Sequence, residues 1–245
     1  MEKLFLRIMS KWLKFKHRIH LATAYRWFLS LENDLLRLGM GDPTVVFDVG
    51  AHLGQTTLHF HKKFKNAHIH SFEPVAQNFH KLARNIGNRD RLFVNEIALG
   101  SSVGTAFVNE GDSDLTHSIS TSSPSDKTED VQEVAVETID WYVDREKINE
   151  IGLLKIDTEG HEIEVLKGAD TTIKSGRIKA IFAECDFCRE DIQHTYFPDL
   201  LDYLSEKDFS FFGLYDVMHY GRNHGIGYCN ALFLNGSTFP DNDIH

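Results

Sequence analysis

An apolar run, Val45-Val46-Phe47, leads into Asp48-Val49-Gly50-Ala51-His52-Leu53-Gly54, which reads as a buried strand ending in a glycine turn. Glycine at 50 and 54 lets the backbone turn tightly and approach a ligand with no Cβ in the way, and the following helix presents its N-terminus to the same crevice. Taken alone, such a turn equally serves tight packing. A second signal lies about 20 residues further on, the spacing of a carboxylate that accepts both hydroxyls of a ribose. There Glu73-Pro74 closes the run Ile69-His70-Ser71-Phe72. The alternative for Glu73 is a charge at a helix start, with Pro74 in the first turn. Together the two signals predict a nucleoside-type cofactor. A third group is Asp157, Glu159 and Glu162 in Leu154-Lys155-Ile156-Asp157-Thr158-Glu159-Gly160-His161-Glu162. Asp157 closes a strand in the crevice, and Glu159 and Glu162, three apart, share a face where helix N–H groups stabilise negative charge. Such groups could take a proton from a substrate hydroxyl, and Asp157, Glu159 and Glu184 are the catalytic candidates, with His117 and His161 behind them. The alternative is that Glu159 and Glu162 merely cap the helix. Most of the 14 histidines must be ordinary surface or packing residues.

The loop also discriminates between cofactors. A dinucleotide fingerprint, G-x-G-x-x-G, uses its middle glycine to admit a pyrophosphate. Here His52 stands where that glycine is wanted. An anionic Asp48 repels a pyrophosphate but suits the ammonium and sulfonium of S-adenosylmethionine, which argues against a nicotinamide oxidoreductase. Asp157, Glu184 and Asp186 could hold Mg²⁺ through oxygen ligands, but acids near a crevice are common, and no metal ligand is assigned.

From Thr44 onward strands and helices alternate, which predicts an α/β domain with a mostly parallel sheet and helices on both faces. Strands are expected at 44–48, 69–73, 92–97, 153–157, 178–184, 209–215 and 230–235, and helices at 54–64, 75–86, 161–173 and 196–206. Residues 101–137 break the rhythm: a β-rich pair, Thr105–Asn109 and Gln132–Val136, brackets a Ser/Thr/Asp-rich stretch that reads as a disordered loop or a lid over the site, its length favouring a lid that orders on binding. Residues 4–19 read as a basic amphipathic helix, so 1–40 are expected to form an extension to a catalytic domain at 41–245. That helix would lie on an anionic membrane surface, pack on a partner or dock on its own domain.

The chain has 245 residues, 42% hydrophobic and 25% charged, enough for one large domain. A net charge of −10 disfavours nucleic acid and leaves small-molecule or glycan acceptors. Three cysteines do not make a disulfide framework, and Cys185-x-x-Cys188 reads as reduced thiols. With neither a long apolar span nor a secretory signal, the expected location is cytoplasmic, with the inner membrane surface as a site of contact.

The blocks Phe47-Asp48-Val49-Gly50-Ala51-His52-Leu53-Gly54-Gln55-Thr56, Phe72-Glu73-Pro74, Ala98-Leu99-Gly100, Glu137-Thr138-Ile139-Asp140 and above all Leu154-Lys155-Ile156-Asp157-Thr158-Glu159-Gly160-His161-Glu162 together resemble the FkbM family of methyltransferases. The resemblance runs from about Thr44 to Cys185, with a weaker echo at Asn230-Ala231-Leu232-Phe233. It implies a Rossmann-like class I methyltransferase fold, a mostly parallel seven-stranded sheet with a reversed last strand. It also implies S-adenosylmethionine as donor and, usually, a hydroxyl acceptor on a sugar or other small metabolite. Carried over by position, Asp48, Gly50 and Gly54 would surround the amino-acid part of the donor, with His52, Gln55 and Thr56 in the same loop. Glu73 would meet the ribose, Ala98 and its neighbour Glu96 the adenine, and Asp157 the methyl end. His52 departs from the Asn often found at its place in the family. The expected activity is O-methyl transfer; the alternatives are methylation of a small-molecule amine and a non-catalytic S-adenosylmethionine-binding module.

Overall fold

The structure, a computed structural model, describes residues 30–109, 119–120, 131–190, 193–219 and 226–239. The helix expected at 4–19, most of the lid and His117 lie outside them. Two compact units divide at Gly41/Asp42. In the first, helix α1 (Leu31–Arg37) is capped by Ser30, whose hydroxyl accepts from Asn33 N at 3.3 Å.

The second unit begins with β1 (Val45–Val49), α2 (Gln55–Lys63), β2 (His68–Phe72), α3 (Ala76–Ile86) and β3 (Leu92–Asn95). Next come β4 (Ala98–Leu99), β5 (Gly104–Asn109), β6 (Ile119–Ser120), β7 (Val131–Glu137) and α4 (Ile139–Arg145). The remainder is β8 (Ile151–Ile156), α5 (Glu162–Lys167), α6 (Asp170–Lys174), β9 (Ile178–Asp186), α7 (Phe197–Ser205), β10 (Phe209–Tyr215) and β11 (Tyr228–Asn235). The main sheet runs β10-β11-β9-β8-β1-β2-β3, with β11 antiparallel to both neighbours and the other pairings parallel. All six residues of β8 are buried, as a central parallel strand requires. Phe47, Phe72, Leu154, Ile156, Ile181 and Phe233 belong to one core, joined by Tyr142, whose ring meets Phe72 edge-on at 4.8 Å.

Two expected elements differ. The strand foreseen at 92–97 ends at Asn95, and Ala98–Leu99 pair instead with Val136–Glu137 in a second sheet, β4-β7-β5-β6. The helix foreseen at 161–173 breaks at Gly168-Ala169, because Asp140 of α4 accepts from Thr171 N and Thr172 N at 2.9 and 2.8 Å and caps α6 from outside. No helix among the described residues is long and apolar enough to cross a membrane.

His70 in β2 stacks on Phe93 at 4.6 Å, and its Nδ1 lies 2.8 Å from the Tyr142 hydroxyl. That hydroxyl donates to Asn95 Oδ1 at 3.2 Å, so Nδ1–H is the donor to it. Burial pushes the imidazole down to about 4. The unfolded chain therefore binds the extra proton first, and the neutral ring contributes stability above pH 6.5 that is lost as pH falls towards 4, up to ~3 kcal/mol. Thermal unfolding should show this loss, and His70→Phe, which keeps the stack, should flatten the curve between pH 6.5 and 4. An unchanged slope in the variant would refute the assignment.

Candidate active site

The order β8-β1-β2 places a topological switch beside β1, and a crevice opens at the carboxyl ends of these strands. The turn after β1 is drawn down over β2: Gly50 N and Ala51 N both donate to Phe72 O, at 3.1 and 3.0 Å. Gly50 has φ +76°, and a Cβ there would lie 1.8 Å from the Asp157 carbonyl oxygen, so only glycine lets the two strand ends touch. Gly54, at φ +88°, opens α2. Glu73 clamps the turn from the neighbouring strand, accepting from His52 N at 2.8 Å and Val75 N at 3.0 Å while remaining buried.

Behind the turn lies a buried charge cluster. Lys155 Nζ stands 3.1 Å from Asp48 Oδ1, 3.2 Å from Asp157 Oδ2 and 3.1 Å from Gly50 O. Burial alone would lower the lysine, but Asp157 and Asp48 outweigh it and hold the ammonium above its ordinary range. Asp48 also accepts from Thr57 Oγ1 at 2.6 Å. Two carboxylates against one ammonium leave a net negative charge, carried on the cavity side by Asp157.

The cavity, about 850 Å³ including its open mouth, is lined at one end by Gly50, His52, Asp157, Thr158 and Glu159. Phe72, Glu73, Ile97, Ala98, Leu99 and Val108 line it elsewhere. Of the expected residues, Gly50, His52, Glu73, Ala98, Asp157 and Glu159 converge on this cavity, whereas Asp48, Gly54, Gln55, Thr56, Glu96 and Glu184 are not among its lining. Asp48 is instead paired with Lys155, which sequence reasoning passed over although it stands in the same motif as Asp157. Glu162 is fully buried and braces the turn, accepting from Thr158 N at 2.7 Å and from the Thr195 hydroxyl. Of Glu159 and Glu162, it is Glu159, at φ +52°, that lines the cavity.

Beside Glu159 lie Glu184 and His194, each offering a ligand atom within 4.8 Å of the others. His194 Nε2 is 3.7 Å from Glu184 Oε2, and its ring stacks on Tyr228 at 5.1 Å. Asp157 and Glu184 share a hydrogen bond. Burial would raise Asp157, but Lys155 and that bond hold it below the usual carboxylate range. Burial and the Asp157 charge push Glu184 well above that range, so it keeps its proton at neutral pH. Asp157, Glu184 and Asp186 do not come together as a ligand set among the described residues, where Asp186 accepts from Cys188 N; the three groups that do are Glu159, Glu184 and His194. Cys185 packs against Cys229, with sulfurs 3.7 Å apart, while Cys188 is exposed.

S-adenosylmethionine would fit these groups: Glu73 ends β2 on the cavity wall, a position that suits a ribose, an apolar wall at Ile97 to Leu99 and Val108 suits a planar base, and the excess negative charge at Asp157 suits a sulfonium and ammonium. The seven-stranded sheet with one reversed strand and this crevice at its switch point have the class I S-adenosylmethionine-dependent methyltransferase fold. The model of the methyltransferase FkbM domain matches residues 48–211, and the chain belongs to that family. "Methyltransferase 1" of Beauveria bassiana (strain ARSEF 2860) is 26% identical over 148 residues, 53% of this chain and 59% of that protein. The chain thus spans about three-fifths of the length of this curated relative.

Among solved structures, TrmK of M. capricolum with S-adenosylhomocysteine is similar at TM-score 0.48, with 10% identity over 85% of this chain and 69% of that one. Magnesium protoporphyrin IX methyltransferase of Synechocystis PCC 6803 with bound S-adenosylmethionine is similar at TM-score 0.47, with 7% identity over 96% and 79%. The family assignment rests on the domain match.

Proposed function

We propose that the chain is an O-methyltransferase that methylates a hydroxyl of a sugar, glycan or other small metabolite, and the observation that carries this is Glu159 on the cavity wall with His194 offering a ring nitrogen within 4.8 Å of it. The bound donor supplies an electrophilic methyl on a sulfonium. A hydroxyl acceptor must lose its proton as the new bond forms, so a proton acceptor has to stand beside it. Asp157 is committed to Lys155, and Glu184 already holds a proton, so each is a poor base. Glu159 lines the cavity, and His194 lies within 4.8 Å of it. In this reading the His194 imidazole takes the proton, Glu159 orients the acceptor, and Asp157 balances the donor's charge.

The deciding experiment incubates purified protein and isotopically methyl-labelled donor with a glycan and metabolite extract, with mass spectrometry of the products. Label on an oxygen supports the proposal; label confined to nitrogen sinks it. With an acceptor identified, His194→Gln should lower kcat ~100-fold, the low end for a general base, with donor affinity unchanged. A kcat within threefold of the parent would remove His194 from the mechanism.

A further inference from the structure

Asn78, in the first turn of α3, is 1% exposed, and neither its Oδ1 nor its Nδ2 has a hydrogen-bond partner among the described residues. A buried polar side chain without partners is rare in native structures, because it has given up water and received nothing in return. An apolar residue of similar shape would serve the fold better at such a place.

Local explanations are already spent. An Asn near a helix start ordinarily caps backbone N–H groups. Here Val75 N donates to Glu73 Oε1 at 3.0 Å, and Ala76 N donates to Gln132 Oε1 at 3.1 Å. Gln132 also donates to Pro74 O at 3.3 Å, which pins the helix entrance from β7. The start of α3 is therefore held without Asn78.

What Asn78 does face is the donor cavity, whose wall it shares with Glu73, Pro74, Val75, Ala98 and Val108. Glu73 follows β2 and Ala98 follows β3, so this wall belongs to the β2–β3 side of the sheet, whereas Gly50 and Asp157 follow β1 and β8. From this we infer that Asn78 belongs to the donor site, where its amide, turned by side-chain rotation, hydrogen-bonds the polar edge of the adenosine half of S-adenosylmethionine. The chemistry matches: an amide donates and accepts at once, and adenine presents an amino donor beside a ring-nitrogen acceptor, a pairing Asn makes bidentately elsewhere. The inference rests on the donor site alone and is independent of the acceptor's class.

The test measures two quantities that should move in opposite directions. In the full chain, Asn78→Leu should raise the melting temperature of the ligand-free protein by roughly 2–5 °C, since an unpaired buried amide is removed. The same variant should weaken S-adenosylhomocysteine about 10- to 100-fold by calorimetric titration. 5′-Methylthioadenosine, which lacks the amino-acid end, should weaken by the same factor. Asn78→Ala, smaller than the native residue, guards against loss through crowding and should show the same parallel loss for both ligands. Unchanged affinity for both ligands, or a loss confined to S-adenosylhomocysteine, would overturn the inference. So would a fall in melting temperature in both variants with affinity retained, which would give the amide to the fold. If the unaltered chain binds neither ligand, the donor site itself fails, an outcome visible before any variant is made.

Discussion

Lys155→Met should lower thermal stability at pH 7.5 by ~3–5 kcal/mol, the cost of leaving buried carboxylates without their cation. For a chain of this size that amounts to roughly 10 °C or more in melting temperature. The lysine side chain is 5% exposed and Asp48 is fully buried, so water cannot take over the ammonium's place. Donor binding should fall with it, because the same ammonium holds Gly50 O and Asp157 in register. The pH dependence carries the sign. In the parent, Asp157 is held below its ordinary value, so its stabilisation is present above the unfolded carboxylate range and is lost as pH falls through the folded value. In the variant the ammonium no longer offsets burial, the folded Asp157 carboxyl titrates higher than in the parent, and the stabilisation it gives at neutral pH shrinks. The gap between the two proteins should therefore narrow from pH 8 to pH 5. A variant melting within 2 °C of the parent at pH 7.5 would show that the cluster is not a structural unit.

The second large effect is expected from Gly50→Ala. Its Cβ would meet the Asp157 carbonyl oxygen at 1.8 Å and the carbonyl carbon at 2.8 Å, and both are backbone atoms that cannot swing aside. The left-handed φ adds its own strain. Overpacking and strain together make ~3 kcal/mol or more, and relief comes only by parting β1 from β8 at the floor of the donor cavity. Affinity for S-adenosylhomocysteine should drop ~100-fold or more, in keeping with that energy. Gly54→Ala is the control: it too has a positive φ, but its closest obstacle is Leu82 Cδ1 at 2.6 Å, the movable end of a side chain. It should cost less on both measures. Equal titration curves for Gly50→Ala and the parent would mean the turn does not shape the cavity.

What could be read from the sequence was whatever local spacing encodes. The glycine turn, Glu73 after β2 and the acids after β8 are each marked by a strand that stops at a polar residue, and these stops form one crevice because parallel strands share an end. Residue roles set by long-range register were not legible. Asp48 looked like a ligand-facing anion, but it pairs in register with Lys155 across strands 107 residues apart in sequence, and that pairing takes up its charge. His194 lies on an irregular stretch between β9 and α7, and no periodicity pointed to it. Asn78 sits inside a helix as an ordinary polar residue, and only the tally of hydrogen-bond partners singles it out. Helix α4 was a different kind of omission: Thr138 caps Trp141 N at 3.1 Å, and Ile139, Tyr142 and Val143 have helical spacing, but the segment borders the irregular 101–137 region and was passed over.

The reversed strand β11 sets an order on assembly. It is the last strand in sequence among the described residues, yet it lies between β9 and β10 and pairs with both. Until residues 228–235 have left the ribosome, β9 presents an open, apolar edge and β10 has no neighbour in the sheet. The half of the sheet from β9 outward therefore closes only once residues 228–235 have emerged, through contacts of long sequence separation, and nascent chains are exposed to edge-to-edge association until then. Early termination within β11 should consequently send the product to aggregates while leaving the β1–β8 crevice residues intact in sequence.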